Sequence, residues 1–195
     1  MLVKICGVTN REDALASVEA GADAIGFNFW PHSPRYIAPA VARAIASELP
    51  TGVLKVGVFV DAYSDELADE AGLDVIQLHA ETAGEPHRRH WAAWPVTLPE
   101  LQRRITASHA EAFLIDTPAG VQRGGTGRTY DWRLAQGLPG RIILAGGLSA
   151  ENVREAIRAA NPWGVDACSR LESVPGKKDH IKLREFVRAA RSAAL

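Results

Sequence analysis

Eight short runs of β-forming residues punctuate the chain, at 2–6, 24–29, 54–60, 74–78, 95–98, 112–116, 141–145 and 164–168, with helical patterns between most of them. Such alternation makes successive strands parallel, because each intervening helix returns the chain to the end from which it started. Eight strands allow the sheet to close on itself. The spacing therefore predicts an α/β fold, a closed barrel of eight parallel strands inside a layer of helices. An open doubly wound sheet usually brings a glycine fingerprint after its first strand, and CGVTNRED (6–13) has one glycine there.

The helices carry their own boundaries. Asn10 caps the first, with Glu12 and Asp13 in its positive first turn and Gly21 beyond its end. Ser64 opens another that Gly72 closes. Ser149 opens a third, whose Val153, Ala156, Ile157 and Ala160 share one apolar face. AGADAIGF (20–27) and AGLDVIQL (71–78) repeat one unit, a helix-ending glycine, an aspartate and a buried strand. The stretch 80–111 is the least regular. It must supply a helix, the fifth strand at 95–98 and another helix, with three prolines and little periodicity.

A chain of 195 residues suits one well-filled core, and no linker or charge block divides it, so residues 1–195 are expected to form one domain. Lys plus Arg number 22 against 23 for Asp plus Glu, which points away from nucleic acid and anionic membrane and towards a small molecule. There is no apolar run of about 18 residues and no secretion-signal layout, so the expected location is the cytoplasm, with the two cysteines as free thiols.

Barrels of this kind place chemistry at the C-terminal ends of their strands. Side chains alternate along a strand, so Lys4 and Cys6 face the interior while Val3 and Ile5 face the helices. The same parity turns Leu114 and Asp116 inward, groups Val75, Gln77 and His79, and pairs Asp166 with Cys168. A thiol, a carboxylate and an imidazole thus converge on one mouth. Taken alone, a cysteine among apolar residues is more often a small core filler. Beside Lys4, one layer below, its pKa falls towards neutrality, which suits a base or a nucleophile. Asp116 closes an apolar strand, where a carboxylate is seldom buried without a partner or a task.

The loops after strands seven and eight, AGGLSAENV (145–153) and CSRLES (168–173), occupy the usual phosphate-gripping places, which makes Gly146, Gly147 and Ser169 candidates. GGTGRTYDW (124–132) matches neither common nucleotide motif. Its Gly124, Gly125 and Gly127 suit a lid whose backbone approaches a ligand, with Asp131 capping the next helix; in isolation they equally suit a surface turn. Arg35, held after Pro34, can grip a carboxylate or simply be a solvated surface residue. HRRH (87–90) has no acidic or thiol neighbours and reads as a wet helix face, so no metal is expected.

Taken in order, KICGVTN, GFNFWPHSPRYI, VGVFV, IQLHAE, DTPAGVQRGGTGRTYDW, LAGGLSAENV and VPGKKDH resemble the phosphoribosylanthranilate isomerases of tryptophan biosynthesis, which fold as (βα)8 TIM barrels. The resemblance implies an Amadori rearrangement of an aminoaldose phosphate to an aminoketose phosphate, without a cofactor. It makes Asp116 the general acid that opens the furanose ring, Cys6 the general base at the sugar C2 and Arg35 the holder of the anthranilate carboxylate. Gln77, His79 and Asp166 are expected to line the substrate. Where the family usually reads Ser-Ser-Gly, this chain has Cys168, Ser169 and Arg170, so Arg170 either reaches the phosphate or obstructs it. Helix faces that pack on a neighbour look like those that pack on the core, leaving monomer and homodimer both open. The rival activity, isomerisation of the related histidine-pathway aminoaldose, uses an aspartate where this chain has Cys6. A non-catalytic phosphosugar-binding barrel is the rival from another class, against which both Cys6 and Asp116 speak.

Overall fold

A computed structural model of the chain describes residues 1–79, 86–118 and 129–193. Eight parallel strands close into a barrel in sequence order: β1 (Leu2–Ile5), β2 (Ala24–Asn28), β3 (Leu54–Phe59), β4 (Val75–His79), β5 (His90–Pro95), β6 (Ala112–Asp116), β7 (Ile142–Leu144) and β8 (Gly164–Ala167). Closure is made where residues 164–167 of β8 pair in register with residues 2–5 of β1. Outside them run α1 (Arg11–Glu19), α2 (Pro39–Ala46), α3 (Asp65–Ala71), α4 (Leu101–Ala107), α5 (Val153–Ala160) and α6 (His180–Ala193). The predicted α/β barrel is the observed one.

The helix boundaries have local causes. The Asn10 side chain accepts the Asp13 N–H at 2.9 Å and starts α1, and Ser64 accepts the Leu67 N–H at 3.2 Å and starts α3; each satisfies a donor that the first helical turn leaves unpaired. Gly72 ends α3 at φ +68°, a left-handed conformation natural to glycine. The third expected start is displaced. α5 begins at Val153, because the Asn152 side chain accepts the Ser149 N–H at 2.8 Å and holds 149–152 as a turn.

Two apolar layers follow from strand parity. Leu2, Val56, Val75, Leu114 and Ile143 fill the barrel interior. Val3, Ile5, Ile25, Phe113 and Leu144 face outward and meet Ala14, Ile45, Ile157 and Phe186 from the helices. Each such side chain contributes about 1.5–3 kcal/mol by leaving water. Lys4 and Asp166 are the buried charged pair among the inward residues.

The fifth strand is not at 95–98. It runs His90–Pro95, and 96–97 form a turn. Trp91 points inward and meets the edge of Trp163 at 6.4 Å, while Trp94 points outward onto Phe113 at 5.5 Å. Two aromatic anchors of opposite parity bury more than Val96 and Leu98 could, and they set the register. HRRH is correspondingly no wet helix face: His90 is buried at the start of β5, and Arg89 pairs with Glu111 at 2.9 Å. The helix expected between β4 and the fifth strand is not found at 86–94, where a short bend leads directly into β5; residues 80–85 lie outside the described residues. Beyond β8 lie a 3-10 turn, Ser169–Leu171, and an unanticipated antiparallel hairpin of β9 (Glu172–Val174) and β10 (Lys177–Lys178). Among the described residues no helix is long and apolar enough to cross a membrane.

Candidate active site

A cavity of about 380 Å³ opens at the C-terminal ends of the strands, and Cys6, Arg35, Gln77, His79, Asp116, Asp166 and Cys168 all reach it. Six of these were expected to share the mouth. His79 and Asp116 end their strands, Cys6 and Cys168 stand just past theirs, Gln77 and Asp166 lie within the last three residues of theirs, and all share inward parity. Cys6 lies one residue beyond β1, yet its N–H still bonds the Ala167 carbonyl at 2.9 Å, which fixes its direction.

Beneath the cavity Lys4 is fully buried and donates to Asp166 Oδ1 at 2.8 Å. Burial works against its charge, but Asp166 and then Cys6 outweigh that cost and hold its pKa above the ordinary lysine value. Cys6 receives the benefit. A hydrogen bond from Cys168, opposed by burial and reinforced by the Lys4 ammonium, lowers the Cys6 thiol to about 7. Cys168, the other member of the pair, is pushed up by the same contact and by burial. The contact thus biases the two thiols in opposite directions, Cys6 towards the thiolate and Cys168 towards the thiol.

Asp116 is pushed the other way. Burial raises its carboxyl above the ordinary carboxylate value, against hydrogen bonds from Thr117. Thr117 donates its backbone N–H at 2.6 Å and its hydroxyl at 2.9 Å, both to Asp116 Oδ1, and so aims the carboxyl. A Cβ on Gly146 would stand 2.9 Å from that same oxygen, so glycine at φ +86° makes room for the acid. Gly146 thus serves the carboxyl as well as the loop in which it was picked.

His79 is driven down to about 4 by burial and then by the Lys4 charge, so it stays neutral in ordinary buffers. Gln77 Nε2 lies 3.0 Å from His79 Nε2, and Gln77 Oε1 is buried with no protein partner. That oxygen is an acceptor for an incoming hydroxyl or N–H.

Arg35 reaches the cavity already paired. Its Nε and one terminal nitrogen grip Glu172 at 2.8 and 2.7 Å, and Lys178 holds the same carboxylate at 3.0 Å. Three of the five guanidinium N–H groups remain beyond that fork. Glu172 and Lys178 were missed from the sequence. Their local context is a hairpin of charged residues, and only the fold brings position 172 to position 35.

A smaller cavity of about 40 Å³ adjoins the first and is lined by Gly146, Gly147, Ser169 and Arg170, with Asp116, Asp166 and Cys168 common to both. Asn152 Nδ2 donates to the Gly147 carbonyl at 3.0 Å and braces this loop, a role the sequence reading missed. Gly124, Gly125 and Gly127 lie outside the described residues. Among the described residues no group of three or more His, Cys, Asp or Glu stands together as a metal site.

A closed (βα)8 barrel with ionisable side chains gathered around a cavity at the C-terminal ends of its strands has the layout of the TIM-barrel enzymes. The family model described as N-(5'phosphoribosyl)anthranilate (PRA) isomerase matches residues 3–189, and the chain belongs to that family. The N-(5'-phosphoribosyl)anthranilate isomerase of Solibacter usitatus is 46% identical, over 99% of this chain and 98% of the relative. That of Thermotoga maritima is 43% identical, over 97% of this chain and 98% of its own length. The crystal structure of the Thermus thermophilus enzyme superposes with a TM-score of 0.87 at 38% identity, covering 98% of this chain and 99% of that one. A crystal structure of a phosphoribosyl anthranilate isomerase in complex with reduced 1-(o-carboxyphenylamino)-1-deoxyribulose 5-phosphate superposes with a TM-score of 0.83 at 38% identity, with the same coverage.

Proposed function

We propose that this chain converts N-(5'-phosphoribosyl)anthranilate to 1-(2-carboxyphenylamino)-1-deoxyribulose 5-phosphate in tryptophan biosynthesis, with Asp116 as general acid and Cys6 as general base. The observation that carries this is the opposed bias of two groups on one cavity. The thiol is lowered to about 7 while the carboxyl is raised, so a base and an acid coexist without neutralising each other.

Asp116 gives its proton to the furanose ring oxygen as the anilinic nitrogen pushes electrons into C1. The C1–O bond breaks and an iminium forms, which makes the C2 proton acidic. Cys6 takes that proton, leaving an enaminol. A proton then shifts from the C2 hydroxyl to C1 to give the ketone, and the protonated thiol and ionised carboxyl reset through water. Each proton-transfer group contributes about 10²–10⁴-fold in rate. No redox change or bound cofactor enters the balance.

Arg35, steadied by Glu172, is proposed to hold the anthranilate carboxylate with its remaining N–H groups. Gln77, His79 and Asp166 contact the sugar. Gly146, Gly147, Ser169 and Arg170 take the phosphate, with the Ser149 N–H excluded because Asn152 already uses it. The working location is the cytoplasm, on a small-molecule substrate, with neither nucleic acid nor membrane, as monomer or homodimer. The experiment is fluorimetric consumption of phosphoribosylanthranilate, made in situ from anthranilate and phosphoribosyl pyrophosphate, beside an assay with the histidine-pathway aminoaldose. Turnover of the first substrate is expected. Turnover of the second alone would refute the reading, and binding without turnover of either would mark a non-catalytic barrel.

A further inference from the structure

The chain has two cysteines, and the fold puts them side by side. Ile5 of β1 and Ala167 of β8 are direct partners across neighbouring strands, so Cys6 and Cys168 are the next residue along each. Neighbouring strands run about 4.8 Å apart. A disulfide accepts Cα separations of roughly 4.4–6.8 Å, so bridging needs no change of register. Both side chains turn to the same cavity, and each shifts the other's pKa. Two glycines leave the sulfurs their space: Cys168 Sγ lies 2.7 Å from where a Cβ on Gly7 would stand, and Cys6 Sγ 2.8 Å from one on Gly26. Lys178 Nζ is 3.7 Å from Cys168 Sγ, and Lys4 lies beneath Cys6. Cations so placed favour the reactive thiolate. The proposed reaction uses Cys6 to move a proton but gives Cys168 none to move.

We propose that Cys6 and Cys168 are an oxidation site, forming a reversible disulfide that takes the catalytic base out of service. The oxidant is a peroxide small enough to enter the substrate cavity. The Cys6 thiolate attacks one peroxide oxygen and the O–O bond breaks, giving a sulfenic acid on Cys6 and hydroxide, which takes a proton to become water. The Cys168 sulfur then attacks Cys6 Sγ. The S–S bond forms, the S–O bond breaks, and the released hydroxide leaves as water with the Cys168 proton. Two thiols lose two electrons, and one hydrogen peroxide gains them and becomes two waters. A sulfur in a disulfide cannot accept the C2 proton. Without a neighbouring thiol, further oxidation of Cys6 would reach the irreversible sulfinic acid; the second cysteine diverts it to a bond that thiols reopen. The loss of turnover rests on the reading of Cys6 as base, whereas the bond itself does not.

The test treats the reduced, full-length protein with hydrogen peroxide, quenches with catalase, and measures intact mass, non-reduced peptide maps and turnover before and after dithiothreitol. The expected product is lighter by two hydrogen atoms, yields one cross-linked pair of peptides carrying Cys6 and Cys168, and has lost about 100-fold or more of its turnover, the worth of a general base. Dithiothreitol restores both mass and activity. Cys168→Ser, compared with its own starting turnover, is expected to gain oxygen at Cys6 and to lose activity that dithiothreitol does not return. Wild-type protein that gains oxygen at Cys6 without the bridged species overturns the proposal. A bridged form with full turnover overturns the switch. Unoxidised Cys6→Ser separates the causes, because full turnover there shows that the base was misassigned.

Discussion

A thiol on its own in water ionises near pH 8.5, too high for it to serve as a base at neutral pH. Cys6 is moved from that value by its neighbours: contact with the Cys168 thiol lowers its pKa, and Lys4 stands beneath it on the same strand face. The sign is that of a depressed acid. Thiolate accumulates as pH rises through about 7 and is lost below it, so ultraviolet thiolate absorbance is expected to show a step with that midpoint that Cys6→Ser removes. A first thiolate appearing only near the free-thiol value would contradict the electrostatic account. Arg170 poses a separate question at the same scale, because it stands at the small cavity where the resembling family has glycine. Since the residue lines that space, Arg170→Gly is expected to raise KM for the phosphorylated substrate with kcat little changed, and steady-state kinetics at varied substrate decides. A lower KM would show that the arginine obstructs.

Single elements position these residues, and two of them invite mutation. The loop after β7 approaches Asp116 so closely that a methyl group at Gly146 would lie 2.9 Å from the acid's oxygen and 3.0 Å from the Thr117 nitrogen. Gly146→Ala is therefore expected to lower kcat by displacing the acid. It is also expected to lower stability by about 1–2 kcal/mol, the usual cost of a left-handed conformation for a residue with a side chain; kinetics and thermal melting read the two effects. The hairpin β9–β10 carries Glu172 and Lys178, and Glu172 orients Arg35. Glu172→Gln keeps the shape and loses the charge. Its expected effect is a KM raised about tenfold or more, the worth of a charge-assisted hydrogen bond, with kcat within a few-fold. An unchanged KM would mean that Arg35 does not bind substrate. The sequence made some of these elements plain and hid others. Strand parity at Lys4–Cys6, Leu114–Asp116 and Gln77–His79 was legible because a period of two leaves no choice of face once one side is buried. β5 was not legible, since its alanines and histidine mimic a loop until Trp91 and Trp94 find partners at Trp163 and Phe113. Nor was the Arg35–Glu172 pair, because 137 positions separate its members and no local pattern links them.

At the scale of the whole molecule, the proposed acid Asp116 and the proposed base Cys6 come from the ends of β6 and β1, which are not neighbours in the sheet. Only closure of the barrel points both at one cavity, and Lys4 and Asp166 form the charged floor between them. Closure was predictable from eight alternating strands, while the chemistry it assembles depends on opposed pKa shifts that exist only in the folded chain. The most direct measurement is therefore turnover of phosphoribosylanthranilate by Cys6→Ser and Asp116→Asn, each verified as folded by circular dichroism. The account predicts that each variant loses about 10²–10⁴-fold in kcat while KM moves by no more than a few-fold. Near-normal turnover in either one would contradict it.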